Sequence, residues 1–241
     1  MGKPDLQDIP MPRTIIIATY LVLLEFTLLS YPIDTVAWLG MAAGPVKSAG
    51  ALSFLLAGAV FLMTAYRSSG LHRQCGANHM ESPLALIALG ALCLVCFGEE
   101  MSWRQRLFDY SVPAWLADFN RQGEWNLHKV DRILAIFQLT LCTLVPVLTA
   151  CSATLRTWGA RIGLPIVPWW IAGLVPTQFL VTQALYAVVG GHPPILGAAL
   201  DETKESGQAF ILLVVALWAY RRTTARPSVA ASEGPLDPIG P

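Results

Sequence analysis

Six stretches of the chain, approximately 14-32, 48-66, 83-101, 131-154, 166-189 and 197-220, are mostly apolar over the ~20 residues an α-helix needs to cross the hydrocarbon of a bilayer. Lipid offers the backbone no hydrogen-bond partners, so a run of this length must satisfy its own N–H and C=O groups as a helix. The 48-66 and 131-154 stretches are the cleanest. The last is the most ambiguous at its start, where Asp201, Glu202, Lys204 and Glu205 occupy the first turns. With 54% hydrophobic and 13% charged residues, the chain lies outside the range of soluble domains. The expected fold is therefore all-α: a polytopic membrane bundle of about six transmembrane helices. The expected organisation is a cytoplasmic segment 1-13, a membrane domain 14-222 and a disordered cytoplasmic tail 223-241 rich in Pro, Ser, Ala and Gly.

A formal net charge of zero gives no basic stripe for a nucleic acid. Four of the five cysteines, Cys93, Cys96, Cys142 and Cys151, lie in apolar runs and read as small hydrophobes. Cys93 and Cys96 form a C-x-x-C with no histidine or second pair beside it, so core packing is the expected role. The first apolar run is longer than a signal-peptide core, contains Glu25 and reads as a retained span.

Lys and Arg collect on the cytoplasmic side of membrane proteins. With six spans, one side holds Lys3, Arg13, Arg67, Arg73, Arg156, Arg161, Arg221, Arg222 and Arg226, and the other holds Lys47, Lys204 and a basic cluster interleaved with acids at 104-132. Both termini are then expected on the cytoplasmic side. The third helix runs outward to Glu99 and Glu100 while the sixth runs inward from Asp201, so their acidic ends share the outer face. Glu25 lies about 16 Å along the first helix from Thr14, slightly past the midplane. Gln183 and Tyr186 of the fifth helix reach the same side.

Residues 103-128 are too polar to span but carry Trp103, Phe108, Tyr110, Trp115, Phe119 and Trp125. Amphipathic rings favour the headgroup zone, so this segment is expected to lie along the outer interface as a lid between the third and fourth helices.

The candidate site combines lid and helix ends. Glu99 and Glu100 are adjacent and point about 100° apart. Glu100 to Arg104 is a favourable i, i+4 ion pair if the helix continues, which leaves Glu99 as the inward carboxylate. Glu124 and His128 are i, i+4, suited to metal ligation or to a carboxylate orienting an imidazole. Glu202 and Glu205 are i, i+3 with Gln208 a turn further, and Asp201 to Glu205 is a competing i, i+4 pairing. Carboxylates deep in a span cost ~2.5-3.5 kcal/mol on insertion scales, which makes them functional candidates by default. Glu99, Glu124, His128, Glu202 and Glu205 form a candidate donor set for a divalent zinc, iron or manganese ion, although no His-Glu-x-x-His or Glu-x-x-His signature is present. A salt-bridged structural lid is the bland alternative. Ser102 lacks a Gly-x-Ser-x-Gly context, so a serine hydrolase is disfavoured.

The run Gly98-Glu99-Glu100-Met101-Ser102-Trp103-Arg104-Gln105-Arg106, followed by Asn120-Arg121-Gln122-Gly123-Glu124-Trp125-Asn126-Leu127-His128, resembles a signature of uncharacterised bacterial multi-pass membrane proteins. Arg104 stands where that pattern has glycine, and Lys129 where it has asparagine. The resemblance implies no activity. It does imply that Glu99, Glu100, Trp103, Gln105, Arg106, Glu124, Asn126 and His128 belong to one site.

The leading expectation is an outward-facing Glu/His/Arg site that binds an amphiphilic or lipid-linked substrate from the bilayer, with or without chemical processing of it. Glu99, His128 and Glu205 are its candidate catalytic groups. Arg106, Trp103, Gln105 and Asn126 bind substrate, Arg106 taking an anionic group, and Glu25, Glu100, Glu124 and Glu202 support. The alternatives are a non-enzymatic subunit docking a membrane protein partner through its lid, and a small proton-coupled transporter. Transport needs a polar inner path, for which Thr64, Gln138, Thr140, Thr177 and Gln178 are the available lining groups.

Overall fold

The computed structural model describes residues 44-75, 82-101, 152-189 and 194-224, together with Pro32, Thr35 and Trp38. Among these the protein is entirely helical, with five helices: α1 (Pro45–Cys75), α2 (Pro83–Glu100), α3 (Ala153–Arg161), α4 (Trp169–Val189) and α5 (Pro194–Thr224). Three are long and apolar enough to cross a membrane, over Pro45–Gly70, Pro83–Glu100 and Trp169–Val188. Their outward surface fits that reading, because Leu52, Leu56, Met63, Leu84, Ile87, Leu180 and Val188 are exposed. A lipid-facing helix presents such side chains, whereas a soluble monomer rarely exposes so extended an apolar face. The expected spans 14-32, but for Pro32, and 131-154, but for its last three residues, lie outside the described residues, as does the lid 103-128.

Helix starts follow local chemistry. Proline is tolerated in the first turn, where its missing N–H would have no intrahelical partner, and it opens α1, α2 and α5. The chain expected to be helical from 166 becomes so only at Trp169, because Pro165 and Pro168 bias the residues before them to extended backbone. Ser152 is an extended N-cap whose hydroxyl accepts from the Leu155 amide at 3.3 Å. A helix therefore begins after Ser152, which places a boundary inside the expected 131-154 stretch. At the other end, α5 remains helical to Thr224, two residues past the expected limit of the membrane domain.

The helix α5 is central, packed on one side by α1 and on the other by α4. Ala57, Phe61, Ala65, Leu86, Cys93 and Ala216 make one core cluster, and Val167, Trp170, Ile171, Leu174, Val175 and Ile211 another. Cys93 thus packs as a small apolar residue, and no disulfide joins it to Cys96. Contacts along the helices give their directions. Ser206 bonds Val46 near one end of the α1/α5 pair, and the Arg67 guanidinium lies 4.9 Å above the Tyr220 ring near the other, so α1 and α5 run parallel. Against them, α2 runs antiparallel to α1, and α4 antiparallel to α5, with Tyr186 donating to the Gly197 carbonyl and Gln178 to that of Lys204. The α1/α2 crossing is close because neither helix has a side chain there: a Cβ on Gly90 would meet the Gly58 carbonyl at 3.2 Å and Leu62 Cγ at 2.9 Å. Small residues let membrane helices approach in this way.

Candidate functional site

The first turn of α1, the last residue of α2 and the third turn of α5 meet at one end of the bundle. They bring four ionisable side chains together in its interior. Lys47 is 2% exposed, Glu100 7%, Glu202 5% and Glu205 9%. Lys47 Nζ stands 3.6 Å from Glu202 Oε1 and 3.9 Å from Glu100 Oε2, ion-pair distances just beyond hydrogen-bond reach. Glu100, Glu202 and Glu205 each place a carboxylate oxygen within 4.8 Å of the others.

Local sequence explains the convergence. Glu202 and Glu205 are i, i+3 and therefore share a helix face. The next residue, Ser206, donates from Oγ to the Val46 carbonyl at 2.8 Å, so the register of α5 on α1 is pinned one residue from Lys47. Gly50 leaves room for this approach, since a Cβ there would lie 2.7 Å from Ser206 Oγ. Asp201 turns away to the surface, where it pairs with Lys204 at 2.7 Å. The competing Asp201 to Glu205 pairing is thereby replaced by an i, i+3 pair. Gln208, a turn beyond Glu205, is buried as well.

Glu100, rather than Glu99, meets the carboxylates of α5. Glu99 is buried too, at 8% exposure, but is not among the three converging groups. The helix α2 ends at Glu100 with Met101 as its C-cap, and Arg104, the expected i, i+4 partner of Glu100, lies outside the described residues. Among the described residues Glu100 has a buried ion-pair partner in Lys47, which the sequence had placed among outer loop charges. A signal for it did exist: a lysine in the first turn of a helix opposes the helix dipole, so another source of negative charge must hold it. Gln183 is exposed and stays apart, while Tyr186 is held against α5. The remaining expected site residues, Glu25, Trp103, Gln105, Arg106, Glu124, Asn126 and His128, lie outside the described residues.

The arrangement has two chemical capacities. Three carboxylates with one ammonium can exchange protons with a substrate group or hold it by charge-assisted hydrogen bonds. The same oxygens lie close enough together to share one ion. An all-oxygen donor set suits manganese or magnesium better than zinc, and Lys47 already supplies a positive charge there. Of the groups expected to line a transport path, Gln138 and Thr140 lie outside the described residues. Thr64 and Thr177 bond back to Val60 and Gly173 of their own helices, and Gln178 bonds α5, so these expected lining groups serve helix structure. No protein-family model, no curated protein and no solved structure matches the chain.

Proposed function

We propose that the protein is a multi-pass protein of the bacterial inner membrane whose acidic end faces outward and binds, and processes, an amphiphilic or lipid-linked substrate. One observation carries this reading: Lys47, Glu100, Glu202 and Glu205, drawn from three helices, are buried together in an apolar bundle. As a stabilising device the cluster is poor, because well-packed apolar side chains of the same volume serve as well or better than a buried ion pair. Ionisable groups inside membrane bundles instead mark substrate or ion sites.

In this reading Glu205 and Glu99 act as acid-base or ligand groups, and Lys47 positions Glu100 and Glu202. The lid 103-128 covers the cluster. Arg106 receives the anionic group of the substrate, Trp103, Gln105 and Asn126 line its path, and Glu124 orients His128. Glu25 supports from the first span. Charge placement supports the orientation. Among the described residues all five acids lie toward one end of the bundle, while Arg67, Arg221 and Arg222 lie at the other.

The test is native mass spectrometry of the full chain purified in mild detergent, comparing wild type with Glu205→Gln and Glu99→Gln. The reading expects an amphiphile retained by wild type and released from both variants, with thermal unfolding little changed. Retention of the same species by variants of lowered thermal stability would reduce the cluster to a structural lock.

A further inference from the structure

The end of the bundle opposite the carboxylates carries a feature of its own. The helix α3 and its capping residue place Leu155, Trp158 and Ile162 at i, i+3 and i+7, a single apolar stripe. Projected at 100° per residue, Arg156 and Arg161 flank that stripe on either side, roughly 90-130° from its centre. The stripe is not packed away: Trp158 is 58% exposed and Ile162 43%. Both arginines are exposed too.

The position of this helix relative to the spans is fixed. Just after it, Gly163 takes a left-handed φ of 74° and its carbonyl accepts from the Ser82 amide at 2.9 Å. Ser82 immediately precedes the span Pro83–Glu100, and six residues after Gly163 the span from Trp169 begins. Thus α3 is tied to the level at which two membrane helices enter the bilayer. Trp169 itself is 64% exposed at that level. Nearby, Arg67 stacks on Tyr220 and the Arg222 guanidinium lies 5.2 Å from the Trp218 ring centre, pairs of basic and aromatic groups typical of a headgroup zone. Among the described residues this end has five exposed or half-buried arginines, Arg67, Arg156, Arg161, Arg221 and Arg222, and no acid.

From this geometry we infer that α3 is an interfacial anchor, lying in the headgroup layer with its Leu155–Trp158–Ile162 stripe in the acyl boundary and Arg156 and Arg161 on anionic phospholipid phosphates. An amphipathic helix with basic flanks is held by buried apolar area together with attraction to anionic lipid. The arginine stems cover apolar surface while their heads stay at the phosphates. The site is remote from the carboxylate cluster and does not depend on what that cluster binds.

The test uses the full chain in nanodiscs of phosphatidylcholine alone or of phosphatidylcholine with phosphatidylglycerol. Hydrogen exchange is followed over a peptide covering 153-162. Each arginine near an anionic surface contributes about fivefold to binding, so the Arg156→Gln/Arg161→Gln protein should lose roughly thirtyfold in surface attachment. Wild type is expected to exchange more slowly in the phosphatidylglycerol discs, and the double variant to exchange alike in both. A second readout is the emission that Trp158→Phe removes, which should be quenched by brominated acyl chains in wild type. Equal exchange of wild type in both disc types, protection of the variant that still depends on phosphatidylglycerol, or a Trp158 emission untouched by brominated lipid would each overturn the inference. The first of these outcomes would leave the face to a protein partner instead.

Discussion

Replacing Lys47 by methionine keeps an unbranched apolar stem, one atom shorter than lysine, but removes the ammonium. At an effective dielectric constant of ~20, a unit charge 3.6 or 3.9 Å from another interacts by about 4-5 kcal/mol, so Lys47 gains roughly 9 kcal/mol from Glu202 and Glu100 together before desolvation. Taking each ion out of water costs several kcal/mol, which offsets most of that gain. The variant loses the attraction while the desolvation of the carboxylates remains, with three of them within 4.8 Å of one another. Truncating one member of a buried pair in this way costs about 3-5 kcal/mol. Equilibrium unfolding in mixed micelles, titrated with dodecyl sulfate, measures the loss. Lys204→Met is the internal control: its partner Asp201 is 48% exposed, and such a pair contributes at most about 1 kcal/mol. The double variant Lys47→Met/Glu202→Gln should recover part of the loss, with a coupling of about 0.5-3 kcal/mol. If Lys47→Met unfolds like Lys204→Met, or if the double variant is simply additive, the electrostatic account of the cluster is wrong.

Gly90→Ala should destabilise the bundle by about 1-3 kcal/mol in the same assay, because the new methyl group meets Leu62 and the Gly58 carbonyl at the α1/α2 crossing. Gly163→Ala should cost a comparable ~1-3 kcal/mol, since it combines a left-handed φ with a Cβ that collides with Ser82. It should also raise hydrogen exchange at the Ser82 amide. If the carboxylates share an ion, elemental analysis of the detergent-purified protein will find near-stoichiometric metal, lost on chelation and in Glu202→Gln. Metal retained in that variant would place the ion elsewhere, and metal absent from both proteins would remove the ion from the site.

What could be read from the chain depends on how local its cause is. The helices α1, α2, α4 and α5 were legible because length and hydropathy are properties of contiguous residues. Shared acidic ends on α2 and α5 followed from counting spans, and Glu100 does meet Glu202 and Glu205 as that count requires. Which of Glu99 and Glu100 faces α5 was not legible, because the rotation of α2 is set by its Gly58–Gly90 contact with α1. Lys47 was missed for a related reason. Its burial depends on Ser206 docking α5 onto the first turn of α1, a contact between residues 160 positions apart. The late start of α4, by contrast, could have been read from Pro165 and Pro168.

That separation also sets a timetable. A chain made at about 5-20 residues per second needs roughly 10-30 s to pass from Val46 to Ser206. During this interval the first turn of α1 has no α5 beside it, so neither Glu202 nor the register set by Ser206 is available to Lys47. The growing protein must therefore hold Lys47 without Glu202 until α5 is made. Docking of α5 is then the step that brings Glu202 to Lys47, and a chain released before residue 206 would carry α1 and α2 without that contact.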